Sequence, residues 1–315
     1  MGRGGRRDGL GPLAAAQQAV KRTLRRLATR AGLPLLALLA LGSARGAVDV
    51  DALWDFGQPA SSEQRFRAAL ETTWDEDDAV ILVTQIARTY GLRRDFARAQ
   101  QILAGIEPQL GGAEARVRHA LETGRTFSSA THPPASQTPE AKAHARAAYQ
   151  GAYELARAAQ LDALAIDALH MMAFVDTAPA DQLKWNLQAL AVVEASSQPA
   201  AKKWEASLRN NAGYALHQLG RYPEALAQFE RAVALRERNG NAEKARIAWW
   251  MVAWTLRVMN RADEAIAIQL RLERENDAAG TPDVYVFEEL ETLYRARGDA
   301  ERAAAYGARR AALKR

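Results

Sequence analysis

The sequence predicts an all-α chain, an α-solenoid of stacked helix pairs, and three observations carry that prediction. Apolar residues recur at steps of three and four, as in Leu226, Phe229 and Val233 or Leu82, Ile86 and Tyr90, the spacing of one face of an α-helix. No stretch alternates apolar and polar residues long enough to specify a half-buried strand. Past residue 60, Pro and Gly mostly fall between Ala-, Leu-, Arg- and Glu-rich segments rather than inside them, where they act as breaks between good helix formers.

Taken in order, residues 1–47 form a unit of their own. They carry nine Lys and Arg against one acid, including Arg6-Arg7, Lys21-Arg22 and Arg25-Arg26. The apolar run 31–41 follows and ends in Gly42-Ser43-Ala44-Arg45-Gly46-Ala47. It is too short for a helix across a bilayer, which needs about 20 residues. Basic, apolar and small segments in that order read as a secretory signal peptide cleaved within 44–47, and hence as an exported protein. Two other readings stand beside it. One is a basic leader, mis-assigned by an upstream start or disordered, with the true start near Val48 and a cytoplasmic protein. The other is an Arg-rich presequence for an organelle.

The formal charge of +5 belongs to this leader. Residues 48–315 hold 33 basic and 36 acidic side chains, a balance that opposes binding to a phosphate backbone. The absence of cysteine excludes disulfides, thiolate metal sites and a Cys nucleophile.

Within the repeat domain 48–315, residues 60–73 are expected to form a helix capping the array. The acidic run Asp75-Glu76-Asp77-Asp78 is expected to cap the next helix, where negative charge suits the helix dipole. Six copies of one pattern then follow, anchored at Ala99, Ala145, Gln182, Ala225, Ala265 and Ala303 and spaced by 37 to 46 residues. The widest gap holds the loop Ser128-Ser129-Ala130-Thr131-His132-Pro133-Pro134. The clearest copy is 209–235, with Gly213 in its first helix, Gly220 at the turn, Pro223 opening the second helix, and Ala225, Phe229 and Ala232 within it. Gly220 suits a helix end with positive φ, and proline is tolerated in a first turn. Gly213 and Ala225 are small where two helices must approach, and Phe229 fills the gap to the neighbour.

These positions resemble the tetratricopeptide repeat family, over roughly residues 78–315. Arg209 stands where that family usually has Trp. Glu237 stands where a Pro often ends the second helix, so that helix is expected to run on. Helix pairs of this kind cannot bury their apolar faces alone and must stack on their neighbours. The resemblance implies about six helix-turn-helix repeats in a right-handed superhelix, with the first helix of each pair lining a concave groove.

Catalytic patterns are absent: there is no Gly-rich phosphate loop ending in Lys-Ser/Thr and no Gly-x-Ser-x-Gly elbow. No two of the five histidines sit at metal-ligand spacing, and a closed site needs three or four ligands. His170, among Leu169, Met171 and Met172, reads as a packed histidine. No enzyme activity, cofactor or metal is therefore expected. If the resemblance places the first helices on the groove, the side chains opposite their packing anchors face it. Those are Arg88 and Arg125 in the early units, then Asp167, Met171 and Phe174. They are followed by Asn210, Tyr214 and His217, by Trp250, Trp254 and Arg257, and by Glu288, Thr292 and Arg295. Trp249 falls on the packing side, and Trp250 and Trp254 at a four-residue step equally suit burial against a neighbour. Aromatics give large contact area at small entropic cost, and Arg pairs with carboxylates. The expected function is a non-enzymatic scaffold binding a peptide segment of another protein through Arg88, Arg125, Asn210, Tyr214, His217, Trp250, Trp254 and Arg257. The alternative is a helical repeat domain that senses a small molecule. No nucleic-acid partner and no stable membrane span are expected.

Overall fold

The computed structural model describes residues 48–313, so the leader and its export reading lie outside the described residues. Those residues contain helices and no strand, and none of the helices is long and apolar enough to cross a membrane. They divide into two compact units, one ending at Val175 and the other beginning at Asp176.

The first unit holds α1 (Val50–Leu53), α2 (Pro59–Thr72), α3 (Glu76–Leu92), α4 (Phe96–Ile106), α5 (Ala113–Phe127), α6 (Pro139–Ala158) and α7 (Asp162–Val175). Pro59 opens α2, and α2 packs on α3 as the expected cap. Asp75 caps α3, its carboxylate accepting from the Asp78 amide at 2.9 Å. Each helix packs on the next, and α3, α5 and α7 also touch one another in sequence. Phe66, Leu82, Ile86, Leu121, Tyr149 and Leu169 are fully buried between them.

The second unit holds α8 (Pro179–Ala195), α9 (Pro199–Lys202), α10 (Glu205–Gln218), α11 (Tyr222–Arg238), α12 (Ala242–Val258), α13 (Ala262–Ala278), α14 (Val284–Ala296) and α15 (Ala300–Leu313). The third expected pair, α7 with α8, is thus shared out between the two units. From α10 to α15 each helix packs on its successor, α8 packs on α10, and α12 touches both α10 and α14. Glu237 lies inside α11, which does run on to Arg238. Arg209 lies 8% exposed between α8, α10 and α11, its guanidinium donating to Glu205 and Gln228.

Two glycines allow helices to touch. A Cβ on Gly213 would sit 2.7 Å from the Phe229 ring, and one on Gly124 would sit 2.5 Å from Tyr149. Seven of the turns share one geometry. Arg94, Gln160, Gly220, Gly240, Asn260, Gly280 and Gly298 all have positive φ. In each case the next residue's amide donates to the carbonyl five residues back, as in Asp95 to Tyr90, Leu161 to Ala156, Arg221 to Leu216 and Thr281 to Asn276. This is the Schellman closure, which satisfies carbonyls the helix end leaves orphaned.

Candidate functional site

The candidate residues fall into two groups, one in each unit. In the first unit they form a charge cluster. Arg125 of α5 donates to both oxygens of Asp167 on α7 at 2.6 and 2.7 Å, and to Glu122 at 2.6 Å. All three side chains are buried. Burial alone would raise the Asp167 carboxyl, but Arg125 and Arg88 together hold it below the usual carboxylate range. Tyr149 lies against the cluster, its hydroxyl donating to the Ser128 carbonyl at 2.6 Å, and burial pushes its ionisation up. Arg125 and Asp167 are thus bonded to each other. Arg88 is half-buried and lies 3.8 Å from Glu122. Its guanidinium sits 5.4 and 5.2 Å from the ring centroids of Trp54 and Phe56, cation–π distances. Those two rings stack at 4.6 Å, and the Trp54 indole donates to Gln85. Met171 is buried, and Phe174 meets His170 edge-on at 5.2 Å.

In the second unit the structure brings Tyr214, His217, Trp250 and Trp254 into one aromatic row. The four- and three-residue steps put Tyr214 and His217 on one face of α10, and Trp250 and Trp254 on one face of α12. Contact between these two helices joins the faces. His217 stacks on Trp254 at 3.3 Å between ring centroids. Tyr214 and Trp250 lie 6.0 and 5.8 Å from Trp254 on near-parallel planes, within the range of offset aromatic pairs. Tyr285 of α14 closes the row, edge-on to Trp250 at 6.3 Å. Tyr214 is 42% exposed and Trp250 and Trp254 are half-buried, whereas His217 is 8% exposed.

The histidine therefore acts as the row's footing. The Thr255 hydroxyl donates to the Met251 carbonyl at 2.8 Å, so at 3.1 Å the His217 Nδ1–H is the donor to Thr255 Oγ1. Burial, aided by the charge of Arg257, pushes His217 down to about 4, so the ring is neutral at pH 7. Arg257 forms a two-pronged pair with Glu289 of α14 at 2.7 and 3.0 Å. Asn210 accepts from Arg236 at 3.4 Å. Trp249 turns away from the row, its indole donating to Glu237 and its ring lying under Arg271 at 4.2 Å. Of the last unit's expected residues, Glu288 and Arg295 are exposed and Thr292 bonds the Glu288 carbonyl.

At its Trp250 end the row opens into a cleft of about 400 Å³ bounded by α12, α13, the turn 281–284, α14 and Leu313. Sequence reasoning missed this cleft and the exposed Tyr285. Stepping back along α12 from Trp254 and Trp250 by four and three reaches Ile247 and Glu243, a signal that was present. The cleft's other wall comes from the end of α13 and the following turn, which no periodicity in α12 reveals. Among the described residues no group of His, Cys, Asp and Glu is placed to hold a metal ion.

Repeated helix pairs closed by the same turn define a helical-repeat solenoid, and the comparisons agree. Residues 204–273 match the tetratricopeptide repeat model. The signal-transduction ATPase with a tetratricopeptide repeat sensor from Pyrococcus horikoshii superposes with a TM-score of 0.63 at 13% identity, over 82% of this chain and 39% of that one. The present chain thus spans well under half of that protein's length. Aspartyl phosphate phosphatase F from Bacillus subtilis superposes with a TM-score of 0.52 at 11% identity, over 99% and 97% of the two chains. At these identities the likeness is one of fold. No curated protein matches the chain by sequence. Tetratricopeptide repeats point to a protein–protein interaction scaffold.

Proposed function

We propose that the chain is a non-enzymatic scaffold that binds a peptide segment of a partner protein along the row Tyr214–Trp254–Trp250. The observation that carries this is the row itself: three large rings, partly open to solvent, are held in parallel by a neutral histidine buried beneath the central one. A rigid aromatic surface loses little side-chain entropy on binding, which favours it as an anchor region. Asn210 borders the row as a polar group able to meet a peptide backbone. Arg257 of α12 supports it by pairing with Glu289 of α14. Arg88 and Arg125 belong to the other unit's cluster, where Arg125 is bonded to Asp167 and Glu122.

Site-specific photo-crosslinking in the source cell tests this. A benzophenone side chain placed at 214 or 250 is expected to trap one protein, and the same group at the exposed Glu230 of α11 is not. Trp254→Ala with retained helicity should abolish the adduct. Equal trapping from position 230, or no adduct from 214 and 250, would overturn the reading.

A further inference from the structure

The cleft beside Trp250 differs from the flat row in depth and in polarity. Leu272 and Val286, each 1% exposed, form its floor, and Ile247, 49% exposed, forms its lip. Its volume is at the small end of ligand pockets, room for one large side chain and its backbone. Asn276 lines it too. This residue is 6% exposed, yet its side-chain amide has no hydrogen-bond partner among the described residues. Its nitrogen and oxygen still reach solvent at the cleft, so they are open to a ligand. The last turn of α13 holds it there, because the Asn276 carbonyl receives the Thr281 amide at 2.9 Å and closes the helix over the cleft. The Trp250 indole N–H is buried without a partner. A carboxamide offers one acceptor and two donors, the set that matches the N–H and C=O of an extended peptide.

The rim adds charge. Glu243 and Asp283 stand against Arg246. Glu243 and Arg246 have no ion-pair partner among the described residues, and Asp283 is engaged only in capping α14 through the Tyr285 amide. Two acids to one base favour a cation beside the apolar floor.

We propose that this cleft is a specificity pocket, resting on the peptide-binding reading above, that takes one apolar side chain of the peptide next to a Lys or Arg. Asn276 holds the backbone at the apolar residue, and Glu243 with Asp283 receives the basic one.

The test uses the full chain and a phage-displayed random dodecapeptide library. Selected peptides are then resynthesised, and their affinities for variants are measured by fluorescence anisotropy. The expected peptides carry an aliphatic or aromatic residue adjacent to Lys or Arg. Changing that apolar residue to Ala should weaken binding at least tenfold. Asn276→Ala should weaken it by about tenfold, and Ile247→Asp, at an exposed position that leaves folding intact, by more. Glu243→Lys should shift the preference from Lys or Arg toward Asp or Glu. Tyr214→Ala separates the two readings. Peptides that depend on Tyr214 but lack the apolar–basic pair, or that ignore Asn276→Ala and Glu243→Lys, overturn the pocket and leave the row standing. Peptides that ignore Tyr214→Ala but depend on Asn276 keep the pocket and remove the row. A library that yields no binder overturns both.

Discussion

At the scale of single residues, His217 was legible as a member of a face but not as its buried support. Its spacing from Tyr214 placed it correctly, whereas its depth depends on Trp254, 37 positions away, lying over it. That burial has a pH signature. The imidazole titrates at about 4 in the folded chain against an ordinary value of 6.5, so the unfolded state binds the proton more readily over that interval. The contribution to stability is complete above pH 6.5 and is lost as pH falls toward 4. Denaturant melts from pH 7 to 4 should show this decline, and His217→Gln should flatten it. Asp167 acts lower on the scale. Its folded value is depressed, so its contribution is present above the ordinary carboxylate value and is lost as pH falls through the folded one. Arg125→Met removes the partner of two buried carboxylates and is expected to destabilise by about 3–5 kcal/mol, with acid sensitivity beginning at higher pH. A chemical denaturation series checks both. The sequence showed Arg125 and Asp167 as separate surface candidates, because nothing in a 42-residue separation announces that two faces will meet.

At the scale of elements, helices and turns were the most legible part. Gly213 opposite Phe229 was readable from the spacing of the best repeat. Gly124 opposite Tyr149 was readable from a weaker one. Gly213→Ala should show which effect dominates. Alanine is the better helix former by about 1 kcal/mol, but its methyl would press on a fully buried ring, and overpacking costs about 1–3 kcal/mol. Net destabilisation is the expected outcome of a thermal melt. The turns offer the opposite test. Arg94, Gln160 and Asn260 occupy a left-handed conformation that Gly220, Gly240, Gly280 and Gly298 adopt without strain. Gln160→Gly should therefore stabilise the chain by about 0.5–1 kcal/mol, measured by the same melt. These three turns were hard to read because a non-glycine residue hides the signal that glycine gives.

For the whole molecule, a repeat array draws its stability from neighbours, so a helix with a neighbour on one side only is held least. Among the described helices α15 ends the second unit and buries Ala303 alone. Hydrogen exchange should find it opening faster than α11 or α12, and equal protection would contradict that picture. The number of helix pairs was legible in the spacing of their anchors, while the division at Val175 was not. The third copy is the one anchored on Gln182 where the other five have Ala, and that is where the units part. The shared turn has a consequence for how such a chain changes over time. Because seven junctions close in the same way, an inserted helix pair meets a joint that already fits at both ends. A single residue inserted into a joint finds no carbonyl at the right distance, so growth by duplication is tolerated where growth by one residue is not.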